Sequence, residues 1–230
     1  MNKVCVVIQG PTTFYKEILE SLDLTCADYV WSTWEDEDSF SIEQISKVIP
    51  VIKSKKPFFS GFGNVNMQTV SSYEGMRNLD NDFILKIRSD IKVSSFKKMI
   101  DVFLKSEKLS FLCLHDIPNG IKYAVDYISF GPNEQMKEFW NFFSLERSYQ
   151  IPAEIQILKS YARKQTSNEK DCLLSFDYFL DDLDKNDVDL VWLKNSVNIR
   201  SYLLSSQYVG QTSKVKERLT ENEHSNPDGW

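Results

Sequence analysis

Five consecutive apolar residues, Val4-Cys5-Val6-Val7-Ile8, break off abruptly into Gln9-Gly10-Pro11-Thr12-Thr13. A strand that is apolar at every position, and not only at alternate ones, is covered on both faces, which is the condition of a central strand in a parallel sheet. Phe14, Ile18 and Leu22 follow at helical spacing, with Thr12 or Thr13 available as N-cap, before a second strand-like run, Tyr29-Val30-Trp31-Ser32-Thr33. A β-α-β opening of this kind predicts a parallel α/β sheet flanked by helices.

Downstream, 35–38 reads as an acidic loop, Ile42, Ile45 and Ile49 as a short helix stopped by Pro50, and the lysine-rich stretch after it as a linker. Gly61 and Gly63 predict a flexible loop, and Met67, Val70, Tyr73 and Met76 a helix in which Gly75 permits close packing on a strand. Asp82-Phe83-Ile84-Leu85-Lys86-Ile87-Arg88-Ser89-Asp90 is the next strand, with Lys86, Arg88 and Asp90 on one face and Phe83, Leu85 and Ile87 on the other. Ser94 or Ser95 caps an amphipathic helix bearing Phe96, Met99, Ile100 and Phe103. Runs at 109–115 and 123–130, joined through Pro118-Asn119-Gly120, form an antiparallel pair, and Pro132 opens a helix carrying Met136, Phe139, Trp140 and Phe143. Helices at 152–164 and 172–183, a last strand at 188–193 and a polar tail over 211–230 complete a mixed, mostly parallel sheet in one domain over 1–210.

Composition excludes several classes. With 27 Lys and Arg against 33 Asp and Glu, the chain has a net charge of −6 and no obvious basic face, which argues against nucleic acid as a partner. No stretch approaches the roughly 18 apolar residues of a membrane span, and the opening residues read as a strand and not as a signal peptide, so the expectation is a cytoplasmic protein. Cys5, Cys26, Cys113 and Cys172 lack CxxC spacing and suit reduced core thiols better than zinc or a disulfide framework. P-loop, GxGxxG and GxSxG motifs are all missing, which closes the usual routes to a kinase, dehydrogenase or hydrolase.

Ligands of open parallel sheets bind beyond the carboxyl ends of the strands. The residues there are Gln9, Gly10, Pro11 and Thr12 after the first strand, Ser32 and Trp34 at the second, and Ser89 and Asp90 at the third. Gln9 and Thr12 suit a base or ribose, Trp34 stacking, and Asp90 a divalent cation bridging two phosphates. Asn64, Asn66 and Gln68, with Ser71 and Ser72 one turn on, enter a helix whose free N–H groups favour a hydroxyl-rich or anionic ligand; helix capping explains the same residues. Transfer to a hydroxyl needs one base, for which Asp126, Asp116 and Glu154 are the candidates, each with a salt bridge or helix-end charge as its structural reading.

Taken together, Val6-Val7-Ile8-Gln9-Gly10-Pro11, the Asn64-x-Asn66-x-Gln68 loop with Ser72 and Gly75, Lys86-Ile87-Arg88-Ser89-Asp90 and Asp126-x-x-x-Phe130-Gly131 resemble the WavE-type lipopolysaccharide-biosynthesis family over roughly residues 4–200. The resemblance implies a GT-A-like, Rossmann-type glycosyltransferase that moves a sugar from a nucleotide-sugar donor to a hydroxyl of a lipopolysaccharide core or capsular glycan. It implies peripheral contact with the inner membrane through lipid-linked acceptors, with Gln9, Gly10 and Pro11 at the nucleotide. Asp90 stands where the last acid of a Mn²⁺- or Mg²⁺-binding Asp-x-Asp motif sits, but the motif here is Arg88-Ser89-Asp90. Arg88 and Lys86 are then candidates to neutralise the departing diphosphate directly. A sugar-phosphate nucleotidyltransferase and a non-catalytic scaffold of the same fold are the rival readings; the former commonly has a Gly-rich, basic opening loop that this chain lacks.

Overall fold

A computed structural model describes residues 3–106, 108–116, 121–144, 153–165, 177–178, 183 and 185–199. The opening apolar run is strand β1 (Val4–Gln9), buried at all six positions. It lies between β2 (Asp28–Trp34) and β4 (Phe83–Arg88), parallel to both. Outside β2 runs β3 (Val51–Ser54), also parallel. On the other side β4 pairs antiparallel with β7 (Ile121–Pro132), which pairs antiparallel with β6 (Ser110–Asp116); β8 (Asp177–Tyr178) closes the edge parallel to β6. The order is therefore β3-β2-β1-β4-β7-β6-β8, with β7 the one strand of reversed direction. This is the mixed, mostly parallel α/β sheet the sequence predicts.

Alternation along β1 divides the core. Val4, Val6 and Ile8 join Trp31, Leu85, Ile87, Ile128 and Phe130 on one face, beneath Ile18 of α1 (Tyr15–Leu19), Ile45 of α2 (Ser39–Ser46) and the apolar side of α4 (Phe96–Phe103). Cys5 and Val7 join Val30 and Ile84 on the other, beneath α3 (Val65–Met76), α5 (Asn133–Trp140) and α6 (Ala153–Gln165). Burial of its apolar site pushes the Cys5 thiol up to about 12, so it is an inert core residue.

Four local expectations are corrected. The stretch after Pro50 begins with strand β3, because Val51 and Ile52 pair with Trp31 and Ser32 along the sheet edge. α1 has Phe14 at its N-cap with no side-chain bond; Thr12 instead hydrogen-bonds Glu37 Oε2 through both N and Oγ1, at 3.0 and 3.1 Å, and Ser41 Oγ at 2.6 Å. Asp177 and Tyr178, read above as helical, pair with Ser110 and Phe111; the rest of 172–183 apart from Leu183 lies outside the described residues. The strand predicted over 188–193 is β9 (Leu190–Trp192), but it lies outside the main sheet, between β5 (Ile91–Val93) and a further short strand, β10 (Val197–Asn198), in a separate antiparallel sheet. The tail over 211–230 also lies outside the described residues.

Ser95 does cap α4, its Oγ accepting from Lys98 N. Gly75 is where α3 meets the sheet: an added Cβ would stand 2.7 Å from Ser32 Cβ and 2.8 Å from Val7 Cγ1. Gly75→Ala is therefore expected to lower stability by about 1–3 kcal/mol, because the helix must lift off a sheet that cannot give way. Urea unfolding checks this, and an unchanged midpoint would mean α3 is free to shift.

Candidate active site

The turn after β1 is held on three sides. Gly10 N donates to Ser32 O at 3.0 Å, Ser89 N to Gln9 O at 2.9 Å, and Trp31 Nε1 to Gly10 O at 3.2 Å. Gly10 has φ +132°, and a Cβ there would meet Ser89 Oγ at 2.6 Å, so the position takes glycine for both conformation and space. The tips of β1, β2 and β4 are drawn together by these bonds around a cavity of about 570 Å³. Its lining includes Gln9, Gly10, Pro11, Trp34, Asn64, Gln68, Arg88, Ser89, Asp90 and Asp126 from the sequence prediction. Phe14, Met67 and Lys194 complete much of the rest.

The apolar wall is Phe14, Trp34 and Met67, and beside it Gln9 Nε2 donates to Ser71 Oγ at 2.7 Å, which fixes the amide. The same cavity holds an ionic cluster. Arg88 donates from Nε to Asp90 Oδ1 at 3.0 Å and from Nη2 to Asp90 Oδ2 at 2.6 Å, a bidentate pair. Its Nη1 faces both oxygens of Asp126 at 3.3 and 3.4 Å, a looser contact. Burial opposes the guanidinium charge, but Asp126 and Asp90 outweigh it and hold the Arg88 pKa above its ordinary value. The guanidinium carbon lies 4.9 Å from the Tyr127 ring centroid and 5.9 Å from that of Trp192. Trp192 Nε1 in turn donates to Asp90 Oδ2 at 2.8 Å. The reversed direction of β7 explains the meeting: its pairing with β4 runs through Ile87 and Ile128, which leaves Asp126 just beyond Arg88.

Other predicted residues lie elsewhere. Lys86 is fully buried on the face covered by α5, its Nζ donating to Asp126 O at 2.5 Å and lying 4.6 Å from the Trp140 ring centroid. A central strand with helices on both faces offers no solvated side, so the face Lys86 shares with Arg88 is interior at one position and cavity at the other. Ser32 Oγ donates to Ser71 O at 2.6 Å beneath α3, and Ser72 is buried in that helix. Asn66 Nδ2 donates to Phe59 O at 3.1 Å and to Ser144 O at 2.7 Å, and its Oδ1 accepts from Ser144 N at 2.7 Å. It pins two loops. Asn66→Ala is expected to cost about 2–3 kcal/mol, since it strands the Ser144 peptide groups in a buried place; denaturant unfolding measures it, and a loss within error would show that water replaces the amide. Thr12 is committed to Glu37 and Ser41 as described. Asp116 ends β6 and Glu154 lies in the first turn of α6; their side chains lie outside the described residues.

Trp192 and Lys194 were not anticipated. They stand about a hundred residues from Asp90 in sequence and reach it because β9 pairs with β5 and Leu193 N donates to Asp90 O at 2.8 Å. The one local signal is an aromatic followed closely by Lys194-Asn195 at a strand end.

The described residues at the cavity do not fit a resident Mg²⁺ or Mn²⁺. Both oxygens of Asp90 already accept N–H bonds, Oδ2 two of them, and both oxygens of Asp126 face the same guanidinium. Among the described residues no three acidic, histidine or cysteine side chains group to hold an ion. No helix among the described residues is long and apolar enough to cross a membrane.

No family model matches the chain, and no curated protein matches it. Solved structures similar to it include S. aureus TarS 1-349, at 14% identity and TM-score 0.45 over 70% of this chain. The chain spans 56% of that structure's length. A protein from Desulfovibrio desulfuricans G20 described as a nucleotide-diphospho-sugar transferase gives 9% identity and TM-score 0.47 over 72% of this chain and 78% of its own. One from Bacillus anthracis described as a glucose-1-phosphate thymidylyltransferase, in complex with a sucrose, gives 10% and 0.42 over 76% and 85%. At these identities and TM-scores they assign neither activity nor substrate to this chain.

Proposed function

We propose that the chain is a glycosyltransferase of GT-A-like architecture that transfers a sugar from a nucleotide-sugar donor to a hydroxyl of a surface glycan. The observation that carries this is the convergence of Gln9, Trp34, Arg88, Asp90 and Asp126 on one cavity at the carboxyl ends of adjacent parallel strands. An aromatic and apolar wall with a fixed amide suits a nucleobase; the ionic wall suits a pyrophosphate and the sugar it carries. The WavE-type resemblance of the strand-end motifs supports lipopolysaccharide core or capsule as the acceptor class, and peripheral contact with a membrane through a lipid-linked acceptor belongs to the same proposal.

In the reaction the acceptor hydroxyl gives its proton to a carboxylate while its oxygen bonds to the anomeric carbon. The bond from that carbon to the β-phosphate oxygen breaks, and its electron pair leaves with the nucleoside diphosphate. Asp126 is the candidate base: it lines the cavity, and its contacts to Arg88 are longer than those of Asp90. Arg88, which lines the same cavity, is the cation assigned to the charge that develops on the leaving diphosphate.

The experiment is a thermal-shift panel of nucleotide sugars, with donor hydrolysis followed on any that bind. A ligand at 100 times its Kd stabilises the native state by about 2.7 kcal/mol, a shift of a few degrees. Stabilisation by one nucleotide sugar and release of its nucleoside diphosphate are expected. Stabilisation by nucleoside triphosphates added to the panel, with pyrophosphate release once a sugar phosphate is supplied, favours a nucleotidyltransferase, and no stabilisation by any member favours a scaffold.

A further inference from the structure

We infer that Arg88 is a built-in cation standing between Asp90 and Asp126, and that Lys194 supplies a second positive charge to the ligand, so that the diphosphate is bound without a metal ion. The inference rests on the nucleotide-sugar reading and concerns how that ligand's charge is met. A divalent ion needs carboxylate oxygens with free lone pairs at about 2.0–2.6 Å. Here three of the roughly four lone-pair sites of Asp90 are taken by Arg88 Nε, Arg88 Nη2 and Trp192 Nε1. A guanidinium that bridges the two carboxylates, and is flanked by Tyr127 and Trp192, puts a fixed positive charge in the cavity wall between them.

Arg88 alone leaves the wall one charge short, because it faces two carboxylates. Lys194 lines the same cavity, is exposed, and has no hydrogen bond or ion pair with another of the described residues. It sits in the turn between β9 and β10, a place fixed to Asp90 by the Leu193 N–H bond to Asp90 O and by the indole of Trp192. An ammonium with three donors on a flexible stem at a cavity mouth is suited to an incoming anion.

Calorimetric titration of the intact chain with uridine, cytidine, thymidine, adenosine and guanosine diphosphates, in EDTA and in Mn²⁺, tests this. Binding of one of them with the same affinity in both buffers is expected. Lys194→Ala should weaken that binding about tenfold in EDTA and flatten its salt dependence, while Lys194→Arg retains most of it. As an exposed turn residue Lys194 tolerates both changes without unfolding. Separately, electron paramagnetic resonance of free Mn²⁺ should show uptake by Arg88→Ala, whose two carboxylates are released, and none by the parent chain. Binding that requires Mn²⁺, or Lys194→Ala with unchanged affinity, would overturn the inference and leave the glycosyltransferase reading standing. Binding of none of the five in either buffer would overturn both.

Discussion

Arg88→Ala should cost about 3–5 kcal/mol of stability, the largest loss expected of any change at the site. The side chain is one-quarter exposed, yet the Asp126 side chain it neutralises is only 3% exposed and that of Asp90 15%. Removing the cation leaves two carboxylates facing each other in a poorly solvated place, and the chain must either protonate one or admit water. Guanidinium-chloride unfolding measures the loss. Adding Asp126→Asn to Arg88→Ala should recover a substantial part, because the buried like-charge pair is gone; with Asp126→Asn alone measured as well, the cycle gives the coupling energy and separates the ionic effect from lost packing against Tyr127 and Trp192. A loss below about 1 kcal/mol would place the cluster among ordinary solvated ion pairs.

Asp126→Asn alone should lower sugar transfer by about 10²–10⁴-fold while leaving donor binding within a few-fold of the parent. Asparagine keeps the shape and an acceptor oxygen for Arg88 Nη1, so the variant removes the base without dismantling the wall. Single-turnover transfer and equilibrium titration of the donor check the two halves separately. If kcat changes less than a few-fold, the base lies elsewhere, and Asp116 and Glu154 are the residues to substitute next.

Much of this fold is written in residue order. The unbroken apolar character of Val4 to Ile8 required helices on both sides, and Val7 duly packs under α3 while Ile8 faces the α4 side. The strand-end rule placed Gln9, Gly10, Pro11, Trp34, Ser89 and Asp90 at one edge, where they line the cavity, because a parallel sheet delivers every strand's carboxyl end to the same edge. What the pattern left hidden was pairing. Lys86 carries the same charge as Arg88 and lies two residues before it, and only the packing of α5, with Trp140 over its Nζ, separates a core lysine from a cavity arginine. Val51 and Ile52 are too short a run to distinguish from a linker until β2 is seen to lack a neighbour. The Thr12 hydroxyl suits a cap or a ligand equally; its partner Glu37 arrives from the loop after β2, which no local pattern encodes. Lys194 depends on β9 joining β5, a pairing of segments about a hundred residues apart.

The most direct measurement is hydrogen exchange of the chain with and without the nucleotide sugar that gives the largest thermal shift. If strand tips grip an activated sugar by its diphosphate, protection should rise together at the turn after β1, around Gly10, at Ser89 and Asp90 after β4, and in the turn that carries Lys194, with little change elsewhere. Protection confined to a different surface, or a bound donor that leaves these three segments exchanging as before, would contradict it.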